Sequence, residues 1–394
     1  MRALDGVKVI DLTQAYSGPF CTMHMADHGA EVIKIERPGL GDQSRTWGPI
    51  KDGYSAYYAF LNRNKKSLSL DLRSEEGKEI FFRLIKDADV VCENFRVGAM
   101  EKLGLGYEKI KKINPRIIYA SISGFGLNGP LAKLPAYDIV AQAVSGLMSI
   151  TGFAGNPPTK VGPSVGDNYS GAYLALGICM ALYKREKTGQ GQRLDVAMVD
   201  TLFSILENAV VEYTVAGNVP GRNGNADPGI APFDAFMAKD GMFVMGVGTN
   251  AMWKKLCDLM GRPDLFEDPR YLTNDDRCKN YLPDLKNDVE AYTLTKTKQE
   301  LQEIMNEAGI PFGLIATVAE AAEHPQLQTR EMLVEVDDPA LGTIKIPGIP
   351  IKMHDTPGVV SQAAPLLGQN TDEVLNELGF SSEEIKTFHD RQVV

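Results

Sequence analysis

The stretch EEGKEIFFRLIKDADVVCENF, residues 75–95, decides the class of fold because it joins a helix pattern to a strand pattern. Ile80, Leu84 and Ile85 recur at helical spacing, so they share one apolar face. The apolar run VVC, residues 90–92, follows a short polar break and is typical of a buried strand. A helix that leads into a buried strand is part of a βαβ unit, which predicts a mainly parallel sheet.

The same alternation extends on both sides of this stretch. Strand patterns occur at VKVIDL (7–12), EVIKIE (31–36) and PRIIYASIS (115–123), and SGPFCTMHMADHG (17–29) has a helix pattern. The segment 219–232 is dense in Gly, Pro, Asn and Asp, which is typical of a linker. We therefore predict an α/β protein with a Rossmann-like large domain (1–218 and 326–394), a linker (219–232) and an inserted smaller α/β domain (233–325).

Composition limits the classes of partner and location. The 394 residues carry a net charge of -10, which repels phosphate backbones and argues against nucleic-acid binding. The longest apolar run, residues 172–183, is shorter than the roughly 20 residues that a membrane-spanning helix needs. Five dispersed cysteines and a beginning that leads directly into a strand pattern favour a reduced, cytoplasmic setting. Cys92 and Cys179 lie in apolar runs, which predicts two core residues.

Two short motifs have a simpler interpretation than their patterns suggest. GFGLNG, residues 124–129, matches a dinucleotide-binding fingerprint, but Pro130 follows where the pyrophosphate would need a helix N-terminus. A glycine-rich loop beside some ligand site is the better prediction, and a NAD-dependent dehydrogenase is disfavoured. His24 and His28 have a spacing that can chelate a metal, but the zincin glutamate is missing between them. We predict no metal site.

A single carboxylate, Asp167, stands at the head of the apolar stretch PSVGDNYSGAYLALGICMAL, residues 163–182. One interpretation is a helix N-cap, since a carboxylate accepts N–H bonds from the first turn. The other is a nucleophile, because Gly162 and Gly166 allow close approach and Tyr169 and Ser170 could help to form a pocket. The local residues leave both interpretations open and favour the cap.

Six ordered blocks of the chain resemble class III CoA-transferases, the family that also contains the α-methylacyl-CoA racemases. Together these blocks extend over nearly the whole chain, which is far more specific than any single motif. They are LDGVKVIDLTQAYSGPFCTMHMADHGAEVIKIERPGLGD (4–42), NRNKKSLSLDLRSEEGK (62–78), DVVCENFRVGAMEKLGLGYE (89–108), NPRIIYASISGFGLNGP (114–130), KTGQGQRLDVAMVD (187–200) and PLLGQNTDEVLNELG (365–379).

The resemblance implies a function and a site. Asp167 matches the family's nucleophile, which passes CoA from an acyl-CoA to a carboxylic acid through a covalent aspartyl thioester. Acyl-CoA and the acid are substrates, no cofactor is tightly bound, and the family forms interlocked homodimers. The positions that match the family's CoA-binding residues are Gln14, Ala15, Arg37, Leu70, Leu72, Asn94, Arg96, Lys102 and Tyr137.

The resemblance also separates the subfamilies. Racemases of this family carry a histidine in a GHD-type motif, whereas this chain has Ala136, Tyr137 and Asp138. Proton exchange at a carbon needs two placed acid–base groups, so a transferase is favoured over a racemase. A catalytically silent acyl-CoA-binding protein is a further alternative. The polyglycine loop of the formyl-CoA enzymes is missing, which disfavours a formyl/oxalate pair and leaves Gly246 and Gly248 as weak candidates for oxyanion binding.

Overall fold

The computed structural model describes residues 1–394 and divides into two compact units. The first unit comprises Met1–Leu147, Lys160–Val210 and Pro325–Val394. The second comprises Met148–Thr159 and Val211–His324, so along the chain it interrupts the first unit twice. The assignment of residues 219–232 as a linker and 233–325 as a small domain stays a prediction.

The first unit is built on a six-stranded sheet in which every neighbouring pair is parallel. In spatial order the strands run β3-β2-β1-β4-β5-β6, the order of a doubly wound nucleotide-binding sheet. The α/β class and the mainly parallel sheet are therefore confirmed. The strands are β1 (Lys8–Asp11), β2 (Glu31–Glu36), β3 (Lys65–Ser69), β4 (Val90–Glu93), β5 (Ile118–Ser123) and β6 (Arg193–Ala197).

Helices connect these strands, as parallel pairing requires. The predicted apolar face of Ile80, Leu84 and Ile85 is buried on α3. Ser74 begins that helix by accepting a hydrogen bond from the Gly77 N–H. The helices of this unit up to residue 211 are α1 (Ser17–Asp27), α2 (Ala56–Leu61), α3 (Glu75–Asp87), α4 (Ala99–Leu103), α5 (Tyr107–Ile113), α6 (Asp138–Val144), α7 (Leu147–Ile150), α8 (Val165–Thr188), α9 (Met198–Ser204) and α10 (Asn208–Val211), the last residues of α7 and α10 belonging to the second unit.

Each face of the sheet packs against its own hydrophobic core. Neighbouring residues on β1 point to opposite faces, so Val9 and Ile10 enter different cores and both are fully buried. The core on the Ile10 side includes α3, and the core on the Val9 side includes α1 and α8. Strands that are covered on both faces explain the near-continuous apolar runs in the sequence.

The second unit contains a three-stranded antiparallel sheet in the order β9-β8-β7. Its core is rich in aromatic residues, among them Phe236, Phe243 and Trp253, which are fully buried. Its elements are β7 (Phe233–Ala238), β8 (Gly241–Gly246), α11 (Asn250–Met260), α12 (Asp264–Glu267), α13 (Asn274–Lys279), α14 (Lys286–Thr293), α15 (Lys298–Ala308), β9 (Phe312–Leu314) and α16 (Val318–Glu323), with π-helical turns at Glu212–Ala216 and Tyr281–Leu285.

The remaining elements return to the first unit. β10 and β11 form an antiparallel pair, and two short strands, Ile50–Lys51 and Tyr54–Ser55, form another. The last two helices contribute Val374 and Ile385 to the core beside α3. The bounds are α17 (Pro325–Thr329), β10 (Leu333–Asp338), β11 (Gly342–Pro347), α18 (Thr371–Glu377) and α19 (Ser382–Asp390), and Gln43–Thr46 is a single 3₁₀ turn.

The long helix α8 is not buried all round, although its sequence is apolar. Cys92 is fully buried, as predicted, but the prediction for Cys179 was wrong because that side chain lies on the exposed face of α8. That face carries a row of large apolar side chains, which we name the α8 stripe: Tyr169, Tyr173, Leu176, Met180 and Tyr183. No helix of the chain meets the length and hydropathy that a bilayer span requires.

Candidate active site

The loops that follow β1 and β4 meet where the order of the strands reverses. The chain builds outward from β1 to β3 in one direction and from β4 to β6 in the other, so a crevice opens between their carboxyl ends. The Gln14 N–H donates to Asn94 Oδ1 at 2.8 Å, and Asn94 Nδ2 donates to the Gln14 carbonyl at 2.8 Å. This paired hydrogen bond fixes the loop after β1 against the loop after β4.

Asp167 lies in the first turn of α8 but does not cap it. Ser164 occupies the N-cap position without a side-chain cap bond, and the Gly166 N–H donates instead to Asp138 Oδ1 at 2.8 Å. A Cβ on residue 166 would lie 3.0 Å from that oxygen, so glycine allows the contact. Because Asp138 of α6 satisfies this N–H, capping does not account for Asp167, which lines a cleft in the first unit.

The surroundings of Asp167 oppose its charge. Burial, together with the nearby carboxylate of Asp138, raises the pKa of Asp167 to about 7, against the opposing effect of a hydrogen bond from Ser17. Burial and the charge of Asp167 raise the pKa of Tyr16 to about 12, so this phenol stays protonated and donates to Asn168 Oδ1 at 2.8 Å. The site therefore holds a carboxylate whose charged form is destabilised, which is a feature of functional groups.

A cleft of about 300 Å³ in the first unit brings several of the predicted residues together with Asp167. Its lining also includes side chains that the sequence analysis did not single out, among them Ser17, Gln43 and Met198. The predicted site residues that line it are Gln14, Ala15, Asn94, Arg96, Tyr137 and Asp167.

The other four predicted residues do not line this cleft. The side chain of Leu70 is 1% exposed and lies in the hydrophobic core, where Leu72 packs against the same cluster. Arg37, in the loop after β2, and Lys102, on α4, are exposed at the surface. Neither of them forms an ion pair within the chain, which leaves two cations available to an anion from solution.

Of the remaining candidates, the glycine-rich loop lies beside the cleft, since Gly124 lines it together with Asp167, whereas His24 and His28 do not line it. Residues 124–135 form a loop after β5, and the next helix, α6, begins only at Asp138. His28 Nδ1 lies 2.8 Å from the His24 carbonyl, and no group of three His, Cys, Asp or Glu side chains is arranged to hold a metal ion. Gly246 and Gly248 belong to the second unit, and their role in oxyanion binding stays a prediction.

Comparison with known proteins identifies the family. A sequence profile described as CoA-transferase family III matches residues 4–371. The chain belongs to CoA-transferase family III.

This family III CoA-transferase is similar along its length to proteins of known activity. It is 44% identical over 361 residues to an acetyl-CoA:oxalate CoA-transferase of Acetobacter aceti, which covers 90% of this chain and 91% of the relative. It is 42% identical over 389 residues to a succinyl-CoA:mesaconate CoA-transferase of Haloarcula hispanica, which covers 96% of this chain and 97% of the relative.

Among solved structures, a CAIB/BAIF family protein from Brucella suis superimposes with a TM-score of 0.83 at 36% identity, covering 96% of this chain and 99% of the other. The predicted resemblance and the predicted transferase activity are confirmed: the enzyme transfers CoA from an acyl-CoA to a carboxylic acid.

The sequence analysis did not identify Asp138 and Gln142, because their hydrogen-bond partners near α8 are distant from them in the sequence. Asp138 approaches the start of α8 from 28 positions away, and its second oxygen accepts a hydrogen bond from Gln142 Nε2 at 2.7 Å. Gln142 is fully buried, and its Oε1 accepts from the Val161 N–H at 2.9 Å. Tyr137 and Asp138 are adjacent in the sequence, but the family resemblance assigns a role only to the tyrosine.

Proposed function

We propose that Asp167 is the nucleophile of this CoA-transferase. A carboxylate oxygen of Asp167 attacks the acyl-CoA carbonyl, which gives a mixed anhydride and CoA thiolate. The thiolate attacks the aspartyl carbonyl, the acyl group leaves as a carboxylate, and an aspartyl-CoA thioester remains. The acceptor carboxylate attacks that thioester, and the released thiolate takes the acyl group from the new anhydride and restores Asp167.

The observation that carries this proposal is the placement of a destabilised carboxylate in the cleft between the loops of β1 and β4. Burial and Asp138 disfavour the negative charge of Asp167. The anhydride and the thioester carry no charge at that residue. The surroundings that raise the pKa of Asp167 therefore favour both covalent forms over the free carboxylate, which is the direction that catalysis needs.

CoA is proposed to lie at the carboxyl ends of the strands of the first unit. Arg96 lines the cleft. None of the exposed side chains Arg37, Arg96 and Lys102 forms an ion pair within the chain. Cations at these positions suit the phosphates of CoA. The side chain of Leu70 lies in the core, so only its backbone is available to such a ligand, whereas Leu72 is half-buried.

The acids exchanged are proposed to be short dicarboxylates. The relatives in Acetobacter aceti and Haloarcula hispanica act on oxalate and on mesaconate, both of which are dicarboxylates. The volume of the cleft, about 300 Å³, is at the lower end for a ligand site, and Gln14 and Gln43 supply side-chain amides that can bind a carboxylate. This supports a small polar acid over a steroid or a long acyl chain.

A homodimer, interlocked as in the resembling family, is also proposed. The α8 stripe recurs at spacings of four and three residues, and its members are 41–67% exposed. A contiguous apolar row of this kind on a long helix is typical of a protein–protein interface. The five free thiols and the lack of a membrane-spanning helix are compatible with a cytoplasmic location.

Intact-protein mass spectrometry tests the nucleophile. The enzyme is incubated with acetyl-, succinyl- and formyl-CoA, and the panel is repeated with Asp167→Asn and with Asp87→Asn, an exposed aspartate at the end of α3. We expect a CoA-sized, hydroxylamine-labile adduct on the wild type and on Asp87→Asn, but not on Asp167→Asn. An adduct that persists on Asp167→Asn would exclude this residue as the nucleophile.

A further inference from the structure

A group of fully buried charges lies beneath the loop that follows β1 and has no part in the proposed chemistry. Lys34 Nζ of β2 lies 2.8 Å from Asp42 Oδ2, and both side chains are 0% exposed. Burying an ion pair gives little net stability, because the loss of hydration offsets most of the attraction. A buried pair at this position therefore suggests a role other than general stabilisation.

Both partners bind the backbone of the loop. Lys34 Nζ donates to the Thr13 carbonyl at 2.6 Å, and Asp42 Oδ1 accepts from the Ala15 N–H at 3.0 Å. Asp42 is itself fixed, since the same oxygen accepts from the Ser44 N–H at 2.8 Å and the Asp42 N–H donates to Glu36 Oε2 at 2.9 Å. The loop is thus held from the side of β2, opposite the side on which Asn94 binds Gln14.

The loop needs this support because of its conformation. Ala15 has φ +66°, in the left-handed region that residues with a Cβ rarely adopt. Gln14, Ala15 and Ser17 line the cleft with Asp167, so a change at Ala15 would move the groups that face the reacting carboxylate. Glycine adopts this conformation more readily than alanine, by a factor of about 5 to 30.

We propose that Lys34 and Asp42 are positioning residues for CoA transfer: their buried ion pair holds Ala15 in its left-handed conformation and so directs the loop toward Asp167. This inference rests on the proposed function, in which Asp167 is the nucleophile. Neither Lys34 nor Asp42 touches the substrate. Their effect is expected on the rate of the chemical step, because misplacing reacting groups by about 1 Å reduces rates by about 100-fold.

The test compares Asp42→Asn with a matched control. Asn keeps the shape and an acceptor oxygen but loses the charge that pairs with Lys34. Asp27→Asn removes an equally buried carboxylate, which pairs with Arg63 at 2.7 Å at the far end of α1. We expect both variants to lose thermal stability. Only Asp42→Asn should form the CoA adduct 10- to 100-fold more slowly in single turnover, while Asp27→Asn stays within about twofold of the wild type.

Rescue separates positioning from general damage. Ala15→Gly is measured alone and combined with Asp42→Asn, and the combination should recover at least about fivefold of the lost rate because glycine adopts the left-handed turn without help. If Asp42→Asn does not fold, Lys34→Met combined with Asp42→Asn replaces it, since removal of both charges leaves none unpaired. A wild-type adduct rate in the folded variant, an equal loss in Asp27→Asn, or no rescue would overturn the inference. An absent adduct on the wild-type enzyme would overturn the proposed function and this inference with it.

Discussion

Replacing Asp167 by Asn should stabilise the enzyme above neutral pH. Burial and Asp138 raise the pKa of Asp167 from 3.8 to about 7. Between these two values the folded chain holds a proton at Asp167 that the unfolded chain has lost, so this residue makes stability fall as pH rises through that window. Below about pH 4 both states are protonated, and the effect vanishes.

The size of the effect follows from the same shift. A difference of about three pKa units corresponds to ~4 kcal/mol at pH 8, at 1.36 kcal/mol for each unit. The side chain is half-buried and open to the cleft, and the positive end of α8 favours the carboxylate by up to about 1 kcal/mol. We therefore expect Asp167→Asn to gain about 2–4 kcal/mol at pH 8.

Thermal unfolding measured from pH 4 to pH 8 checks this prediction. The difference in Tm between Asp167→Asn and the wild type should grow from near zero at about pH 4 to about 2–5 °C at pH 8. Asp87→Asn, at an exposed position, should show no such trend. A difference that does not change with pH, or a variant less stable than the wild type at pH 8, would refute the reasoning.

Three further predictions address the neighbours of Asp167, CoA binding and assembly. Burial is the main cause of the raised pKa of Asp167, and Asp138→Asn removes the second cause, so the acidic limb of the kcat/KM profile should move to lower pH; an unmoved limb would contradict the coupling. Arg96→Ala should raise the KM for acyl-CoA about 10- to 100-fold with little change in kcat, whereas Arg330→Ala, another exposed arginine without an ion pair, should leave both unchanged. Leu176→Glu combined with Met180→Glu should prevent newly folded chains from assembling, so that the variant is purified as a monomer by size-exclusion chromatography with light scattering; a variant that is purified as a dimer would exclude the α8 stripe as the interface.

The sheet could be predicted because its information is local. Periodicities of two and about 3.6 residues are properties of short segments, and strands that are covered on both faces give apolar runs. The stretch 75–95 therefore predicted α3 and β4 correctly. The exposure of Cys179 could not be predicted in the same way, since an apolar helix has the same pattern whether its outer face meets the core or solvent.

The site was predictable only in part, for a similar reason. Asp167, Gln14 and Asn94 came from the resemblance, and the structure brings them to one cleft. The hydrogen bond from Gly166 to Asp138 joins residues 28 positions apart, and no local pattern encodes such a contact. Local chemistry consequently favoured the cap, although Asp138 satisfies the N–H that a cap would bind.

The final helices have a consequence for how the chain is made. Val374, Ile385 and Val393 share one core with Ile10 of β1, and the Val393 carbonyl accepts a hydrogen bond from the Asp71 N–H at 2.7 Å. During synthesis this core cannot close before Val374 and Ile385 have been added, although Ile10 is among the first residues made. The last helices are therefore part of the packing that supports β1, the strand that leads into the loop beside Asp167.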